Sequence, residues 1–284
     1  ELREGSAQSL TLDLALRAVR LRLGATIEAL DLARIEGRVA LKRETGGFTL
    51  AATQLGFEGD DGLVWPRSDW SLSLRESGPQ QGGELSAQQL DLALMAQIAT
   101  RLPLAEAQRR LLAELAPSGQ LRALQLGWQG PLEALKNYRV KAQVDDLSLV
   151  AKASPEPLVA GRPGIRGASL QLDASELGGQ ARLQFRDGQI ELPGVFEEPL
   201  LPLPEASATL AWTITARPQA LPALELRVSE VKIANADLRG QLEAVWRTGA
   251  DTATKVSFST PVKLGGAAIP AGTYELFTIP GERE

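Results

Sequence analysis

A two-residue alternation recurs along most of this chain and dictates sheet rather than helical bundle. From Ala206, the residues Ala206, Ala208, Leu210, Trp212, Ile214 and Ala216 fall on one parity, and Ser207, Thr209, Ala211, Thr213 and Thr215 on the other. Successive side chains of an extended chain point to opposite faces, so this is a strand with one apolar and one polar face. The same grammar sets Leu10, Leu12, Leu14 and Leu16 against Thr11 and Asp13, and Leu170 and Leu172 against Gln171 and Asp173. It sets Leu183 and Phe185 against Arg182, Gln184 and Arg186, and Leu224, Leu226 and Val228 against Glu225, Arg227 and Ser229. Many consecutive strands therefore turn an apolar face one way, and helices, a second sheet or a ligand must cover it.

Composition narrows what that face can serve. With 284 residues the chain has room for one large β domain or two ordinary ones. The formal charge of −5, from 30 basic and 35 acidic residues, argues against nucleic acid as the main partner. Cysteine and histidine are absent, which removes disulfides, thiolate nucleophiles, Ser-His-Asp triads and the usual zinc ligands together. Carboxylate and lysine chemistry remain, and the redox compartment is not readable from the missing cysteines. The first residue is Glu1, no charged and apolar leader follows it, and no run of about 18 apolar residues occurs. The chain reads as a fragment of something longer.

To about Glu76 the pattern is a meander of strands with glycine turns at Gly46-Gly47 and at Gly59-Asp60-Asp61-Gly62. Beyond a Ser77 to Gly83 loop the period changes. Leu92, Met95, Ala99 and Leu102 fall at helical spacing, as do Leu104, Ala107, Leu111 and Leu115, with Pro103 between the two stretches and Pro117-Ser118-Gly119 after them. A short helical pair over about 91–116 is expected to interrupt the sheet, its Leu/Met stripe serving as core. Strands resume with Leu121 to Trp128 and Tyr138 to Val150. Proline and glycine then mark a loop at Ser154 to Pro157 and at Gly161 to Gly164. Closely spaced strands follow to Trp246, and the Glu197 to Pro204 stretch is expected to interrupt them and cross an edge of the sheet.

Three acidic doublets invite inspection as acid/base or metal sites: Asp60-Asp61, Asp145-Asp146 and Glu197-Glu198. Neighbours on a strand point to opposite faces, so a doublet does not by itself converge on one substrate, and these read as solvated turns or strand ends. Gly161, Gly164 and Gly167 lack the dinucleotide-binding spacing and read as a loop. Trp65, Trp128 and Trp212 read as core before ligand platforms. Lys152 and Lys263 show no environment that would depress an amine pKa. No catalytic, metal or cofactor site is expected, and the chain is not expected to be an enzyme.

Several short motifs, in order and spacing, resemble the YhdP branch of the AsmA-like bacterial envelope proteins over about Leu32 to Glu243. They are Asp61-Gly62-Leu63-Val64-Trp65-Pro66 with the strand Trp70 to Leu74, and Leu102-Pro103-Leu104 leading through Leu111 to Gly119 into Leu121 to Leu124. Pro163 to Gly167, Leu192 to Phe196 with Glu198-Pro199-Leu200, and Ala234 to Gly240 complete the set. The resemblance implies a curled antiparallel sheet, an open β-groove, in the periplasm of a Gram-negative bacterium. It also implies tethering to the inner membrane by an N-terminal helix absent from this chain. The implied role is carriage of phospholipids between the inner and outer membranes, with phospholipid acyl chains and the envelope membranes as partners. The lining would be Leu170, Leu172, Leu183, Phe185, Leu210, Trp212, Ile214, Leu224, Leu226 and Val228. Physically this suits the alternation: at roughly 0.8 kcal/mol per CH₂, a chain of about 16 carbons costs about 12 kcal/mol in water, and an aliphatic floor offsets much of it.

From Trp246 the sequence resembles a different, small bacterial domain family of unknown function, on Trp246 to Asp251, Val262 to Gly266 and Ile269 to Gly281. That implies a first domain over 1–248 and a C-terminal hairpin over 249–284 of other ancestry, joined at Trp246 to Gly249 as in a chimera. Alternation alone fits an ordinary sandwich equally well. The rival to the lipid conduit is a β-rich structural or protein-interaction module, and a carbohydrate-active enzyme would need two convergent carboxylates.

Overall fold

The computed structural model describes every residue except 1, 4–5, 23, 25–26, 45, 76–80, 103, 105, 132–135, 156–160, 195–197, 217–221, 235–238, 248–253, 259–260, 265–266 and 277–284. Contacts divide the chain into two units, Glu1–Val150 and Ala151–Glu284. In the first, a small hairpin of β1 (Leu2–Arg3) and β2 (Ser6–Ala7) precedes β3 (Ser9–Leu21), β4 (Leu30–Glu44), β5 (Gly47–Gly59), β6 (Val64–Arg75) and β7 (Gly82–Asp91). A helical insertion then leads to β8 (Ser118–Gln129) and β9 (Lys136–Leu149). Strands β3 to β9 pair in sequence order, each antiparallel to the next, and the sheet is not closed into a barrel.

The second unit repeats the scheme with β10 (Gly164–Ser175), β11 (Gly178–Glu191), β12 (Leu200–Thr215), β13 (Ala223–Ala234), β14 (Arg239–Arg247) and β15 (Thr254–Phe258). A hairpin of β16 (Val262–Leu264) and β17 (Ala267–Ile269) intervenes before β18 (Gly272–Leu276), which pairs with β15. The tail beyond Gly249 thus adds strands to the sheet: Val256 sits opposite Ala244 on one side and Tyr274 on the other. The fold is mainly β, open and antiparallel, with a helical interruption where the period changed.

That interruption is α1 (Leu92–Gln97), a 3₁₀ turn at Ala99–Arg101 and α2 (Glu106–Leu115). The sequence pattern predicts a first helix reaching Leu102; it ends a turn earlier and tightens into 3₁₀, a usual finish for a short helix. Asp91 caps α1, its side chain accepting from the Leu94 N–H at 3.0 Å. The Pro-rich stretch before Ala206 differs from expectation. Leu200 to Pro204 do not leave the sheet but open β12, with Pro202 opposite Gln189 and Leu203 opposite Gly188. Proline withholds one ladder donor, a loss tolerated here because the pairing with β13 runs only from Glu205 onward, beyond the prolines, where β12 also breaks its strict alternation between Leu203 and Ala206. Gly164 and Gly167 likewise belong to β10 and not to a loop.

The irregularity is general. In each strand from β3 to β13 the every-second-residue pattern of inward positions is broken once by a step of three. Examples are Leu16 to Val19, Leu32 to Ile35, Ala52 to Leu55, Ala87 to Leu90, Leu121 to Leu124, Val144 to Leu147, Phe185 to Gly188, Leu203 to Ala206 and Val228 to Val231. In an unbroken strand a step of three would flip every later side chain to the other face. Here the residue just before the second inward position often takes positive φ: Ala18 (52°), Gln54 (51°), Ala123 (50°), Asp146 (52°), Asp187 (55°) and Glu230 (53°). The left-handed residue absorbs the extra half-period and bends the strand, as a bulge does. At Gln54 the freed backbone N–H is satisfied by the Asp69 carboxylate at 2.6 Å.

Left-handed φ is disfavoured for L residues and most costly for β-branched ones. Ala123 has an exposed side chain, so packing does not mask the backbone effect. Ala123→Val is expected to lower unfolding free energy by about 2 kcal/mol while Ala123→Gly leaves it unchanged or slightly raised, measured by urea denaturation.

Candidate functional site

Because the bends keep parity, each unit gathers its apolar side chains on one face. In the first unit one row runs Leu10, Leu41, Leu50, Leu72, Leu85, Leu126 and Val140 across all seven strands. The next runs Leu12, Val39, Ala52, Trp70, Ala87 and Leu124. The first row is not sealed, and in the second Leu12 is left open while Ala52, Ala87 and Leu124 are buried. Leu10 is 50%, Leu12 45% and Leu41 41% exposed, and Leu50, Leu72, Leu85 and Leu126 are half-buried. A row of leucines left this open is an apolar floor without a roof.

On the other side of the bends the same face is closed. Leu30, Leu32, Leu55, Leu63, Leu90, Leu121, Val144 and Leu147 are buried, as are Ile98 and Ala99 of the insertion, and α1 packs on β7 and β8. Polar ties fasten the insertion across the strand ends. Arg101 donates to Asp61 at 2.8 Å, in the β5–β6 turn, and Thr100 Oγ1 donates to Glu28 at 3.2 Å, between β3 and β4. The open side is not uniform: Ala52, Ala87, Leu124, Ala142 and Trp128 are buried there, the Trp128 ring lying where a Cβ at Gly83 would have to go.

In the second unit the register places the ten sequence-derived lining residues on one face. Leu170 is opposite Leu183, Leu172 opposite Ala181, and Ala181 opposite Leu210, which faces Val228. Trp212 faces Leu226 and Ile214 faces Leu224. Phe185 is 5% exposed, beside Ala168 and Ala206, while the other nine are half-buried. Sequence reasoning named no lining residue in the first unit, although Leu10 to Leu16 and Trp70 to Leu74 carry the same alternation.

The opposite face is charged and paired. Arg38 forks onto Asp13 at 2.7 and 3.2 Å, Arg34 and Arg67 both reach Glu36, and Arg122 meets Asp145 at 2.6 Å. The Arg38 guanidinium beside Asp13 holds that carboxyl below its usual range, and Arg34 does the same for Glu36. Of the acidic doublets, Asp60-Asp61 lies in a turn, with Asp61 turned to Arg101. Asp145 is paired on β9 beside the left-handed Asp146, and Glu197 lies outside the described residues. Lys152 is exposed, bridging backbone to Arg162, and the side chain of Lys263 is likewise outside the described set. Among the described residues no group of three acidic side chains is placed to hold a metal. Trp65 is half-buried, stacked on Phe57 with centroids 5.5 Å apart and bonded to Ser68.

A family described as YhdP protein matches residues 1–269 of the chain. No curated protein and no solved structure matches it.

Two outcomes test this geometry. A carboxylate introduced on the open floor stays within reach of water, whereas one beneath the insertion does not. Leu72→Asp is therefore expected to cost about 1–2 kcal/mol and Leu121→Asp about 4 kcal/mol or more in urea denaturation. The second concerns Asp61, whose carboxyl is held below its ordinary 3.8 by Arg101 first and then by the Leu63 N–H. A depressed folded pKa stabilises above the unfolded value and is lost as pH falls through the folded one. Amide protection over Ile98–Leu102 is expected to hold from neutral pH down to about 4 and to fall only below it, read by hydrogen exchange.

Proposed function

The chain belongs to the YhdP family over residues 1–269, and on that footing we propose that it is a segment of a periplasmic conduit that carries phospholipids between the inner and outer membranes. The observation that carries the reading is the open leucine floor, with Leu10, Leu12, Leu16 and Leu41 all at least 41% exposed on one face of an antiparallel sheet. A monomeric protein rarely leaves such a surface uncovered without an occupant. An acyl chain laid on it removes about 0.8 kcal/mol of unfavourable hydration per CH₂ and covers the leucines at the same time. The phosphate headgroup stays in water, so recognition needs no fixed cation, and the paired arginines of the opposite face are not required for it. Movement along the floor needs no bond making, and the function proposed is non-enzymatic.

The second unit offers the same kind of surface, with Leu170, Leu172, Leu183, Leu210, Trp212, Ile214, Leu224, Leu226 and Val228 half-buried beside the buried Phe185. The rival is a structural or interaction module in which a protein partner covers the floor.

Mass spectrometry of the purified chain is expected to find co-purified phospholipid. A photocrosslinker at Leu183 or Leu210 is expected to capture it, while one at Gln184, on the polar parity, is not. Capture only from Gln184, or a lipid-free chain that crosslinks to protein from Leu210, would favour the module. Truncation after Arg247 removes β15 to β18 and is expected to leave capture at Leu183 intact, because the pairing of β10 through β13 does not involve the removed strands.

A further inference from the structure

The insertion between β7 and β8 is held in an uneven way. Its two ends are fixed. Asp91 caps α1 and also accepts from Gln120 at 2.9 Å, and at the far end the Leu115 carbonyl accepts the Val150 N–H at 2.9 Å, next to the buried Pro117. The middle is different. No residue of α1 is fully buried, Leu92 to Ala96 being half-buried, and among the described residues of this middle stretch only Ile98 and Ala99 sink into the core. Beyond these two side chains, Thr100–Glu28 and Arg101–Asp61 fasten it, and both ties are at least partly in solvent, with Asp61 48% and Arg101 26% exposed. The strands beneath are tied by continuous backbone ladders, so the insertion is the weaker layer and opens first.

What it covers is the continuation of the open floor. Leu124, at the bend, and Leu121, beyond it, lie on one face of β8, as do Ala87 and Leu90 on β7, and the second of each pair lies on the covered side. We propose that Leu92–Arg101 is a strap over the apolar floor of the first unit, latched by Arg101–Asp61 and Thr100–Glu28, whose release admits an acyl chain to the rows around Leu90 and Leu121. The occupant rests on the lipid reading above; the latch and its release do not. With the strap shut, an acyl chain occupies only the open row of Leu41, Leu50, Leu72, Leu85 and Leu126 and its neighbours. With it open, the usable floor extends along each strand past the bend. The chemistry of the latch also fixes its selectivity, since both ties are polar and neither contacts the floor. An aliphatic chain lying on the open rows does not compete for them, and opening responds to what happens at the strand ends, at Glu28 and Asp61.

The chain contains no cysteine, so one introduced thiol reports without background. Leu72→Cys places it on the open floor and Leu121→Cys beneath the strap, each in the full chain, with labelling by an apolar maleimide followed in time. Leu72→Cys is expected to label fast in every background. Leu121→Cys is expected to label slowly, and about fivefold faster when Thr100→Val and Arg101→Met remove the latch, the size two partly exposed polar ties support. Exchanging the charges by Asp61→Arg with Arg101→Asp is expected to restore slow labelling. Unchanged labelling of Leu121→Cys on removing the latch, or a charge exchange as fast as the broken latch, would overturn the proposal. Monomeric lysophosphatidylcholine separates the two readings. It is expected to protect Leu72→Cys in all backgrounds and Leu121→Cys only in the unlatched chain. Failure to protect Leu72→Cys would sink the lipid reading while the labelling rates still judge the latch. Protection of Leu72→Cys with no protection of Leu121→Cys in the unlatched chain would sink the strap as an acyl gate.

Discussion

Each long strand of both units has to keep its apolar side chains on one face through a bend, and the residues at positive φ are what make that possible. A flat strand with strict alternation would need no such device, but it would also present a flat face. One extra residue per strand, taken up at Ala18, Gln54, Ala123, Asp146, Asp187 or Glu230, bends the strand and restores parity beyond the bend. Neighbouring strands take the step at the same row or the next. Leu16 to Val19 lies opposite Ile35 to Leu32, Ala87 to Leu90 opposite Leu124 to Leu121, and Phe185 to Gly188 opposite Ala206 to Leu203. Without that concert a side chain such as Leu121 would move to the charged face, and the apolar rows would end at the bend.

The two faces then constrain what can cover the sheet. The charged side carries Arg38–Asp13, Arg34–Glu36–Arg67 and Arg122–Asp145, cross-strand pairs that stay in water. Burying them beneath another layer would cost more than the pairing returns. Only the apolar side is open to a second layer, and among the described residues of the first unit the insertion supplies one over part of it. A sandwich would have sealed Leu10, Leu41, Leu50 and Leu72 as thoroughly as Leu90 and Leu121 are sealed on the strands against which α1 packs. Their exposure therefore separates the open sheet from the closed one.

Much of this was written in the alternation. The pattern from Ala206 to Ala216 is β12 beyond its bend, Leu10 to Leu16 is β3 before its own, and the shift to helical spacing at Leu92, closed by Pro117, is the insertion. The bends were legible only in hindsight, as the apolar step of three within a run of twos. They carry no local mark, because the residue that turns is usually Ala, Gln, Asp or Glu and not the glycine typical of a left-handed position. The same blind spot explains the prolines. Pro202 and Pro204 look like an interruption when parity is followed strictly, since Leu201 and Leu203 are odd and Ala206 is even. With the step at Leu203 to Ala206 the two runs become one strand. The division at Val150 and Ala151 falls just before the Pro/Gly-rich loop that was visible. The ties of Arg101 to Asp61 and Thr100 to Glu28 were not, because their partners lie far apart in sequence and nothing local links them.

The uncovered face is also the reason the strands have to be so regular elsewhere. An open leucine floor is a hazard to any chain, since it invites stacking on a second copy as readily as it would take the acyl chain proposed for it. Bent strands reduce that risk. Two flat apolar sheets mate over their whole area, whereas two bent ones meet along limited contacts and leave most leucines in water. The acyl chain proposed as occupant would adapt to the bend and bury each CH₂ at about 0.8 kcal/mol, so on that proposal curvature favours a thin, pliant occupant over a second sheet. The step of three at each strand thus sets two properties at once: it keeps the floor apolar from rim to rim, and it decides what kind of molecule fits upon it.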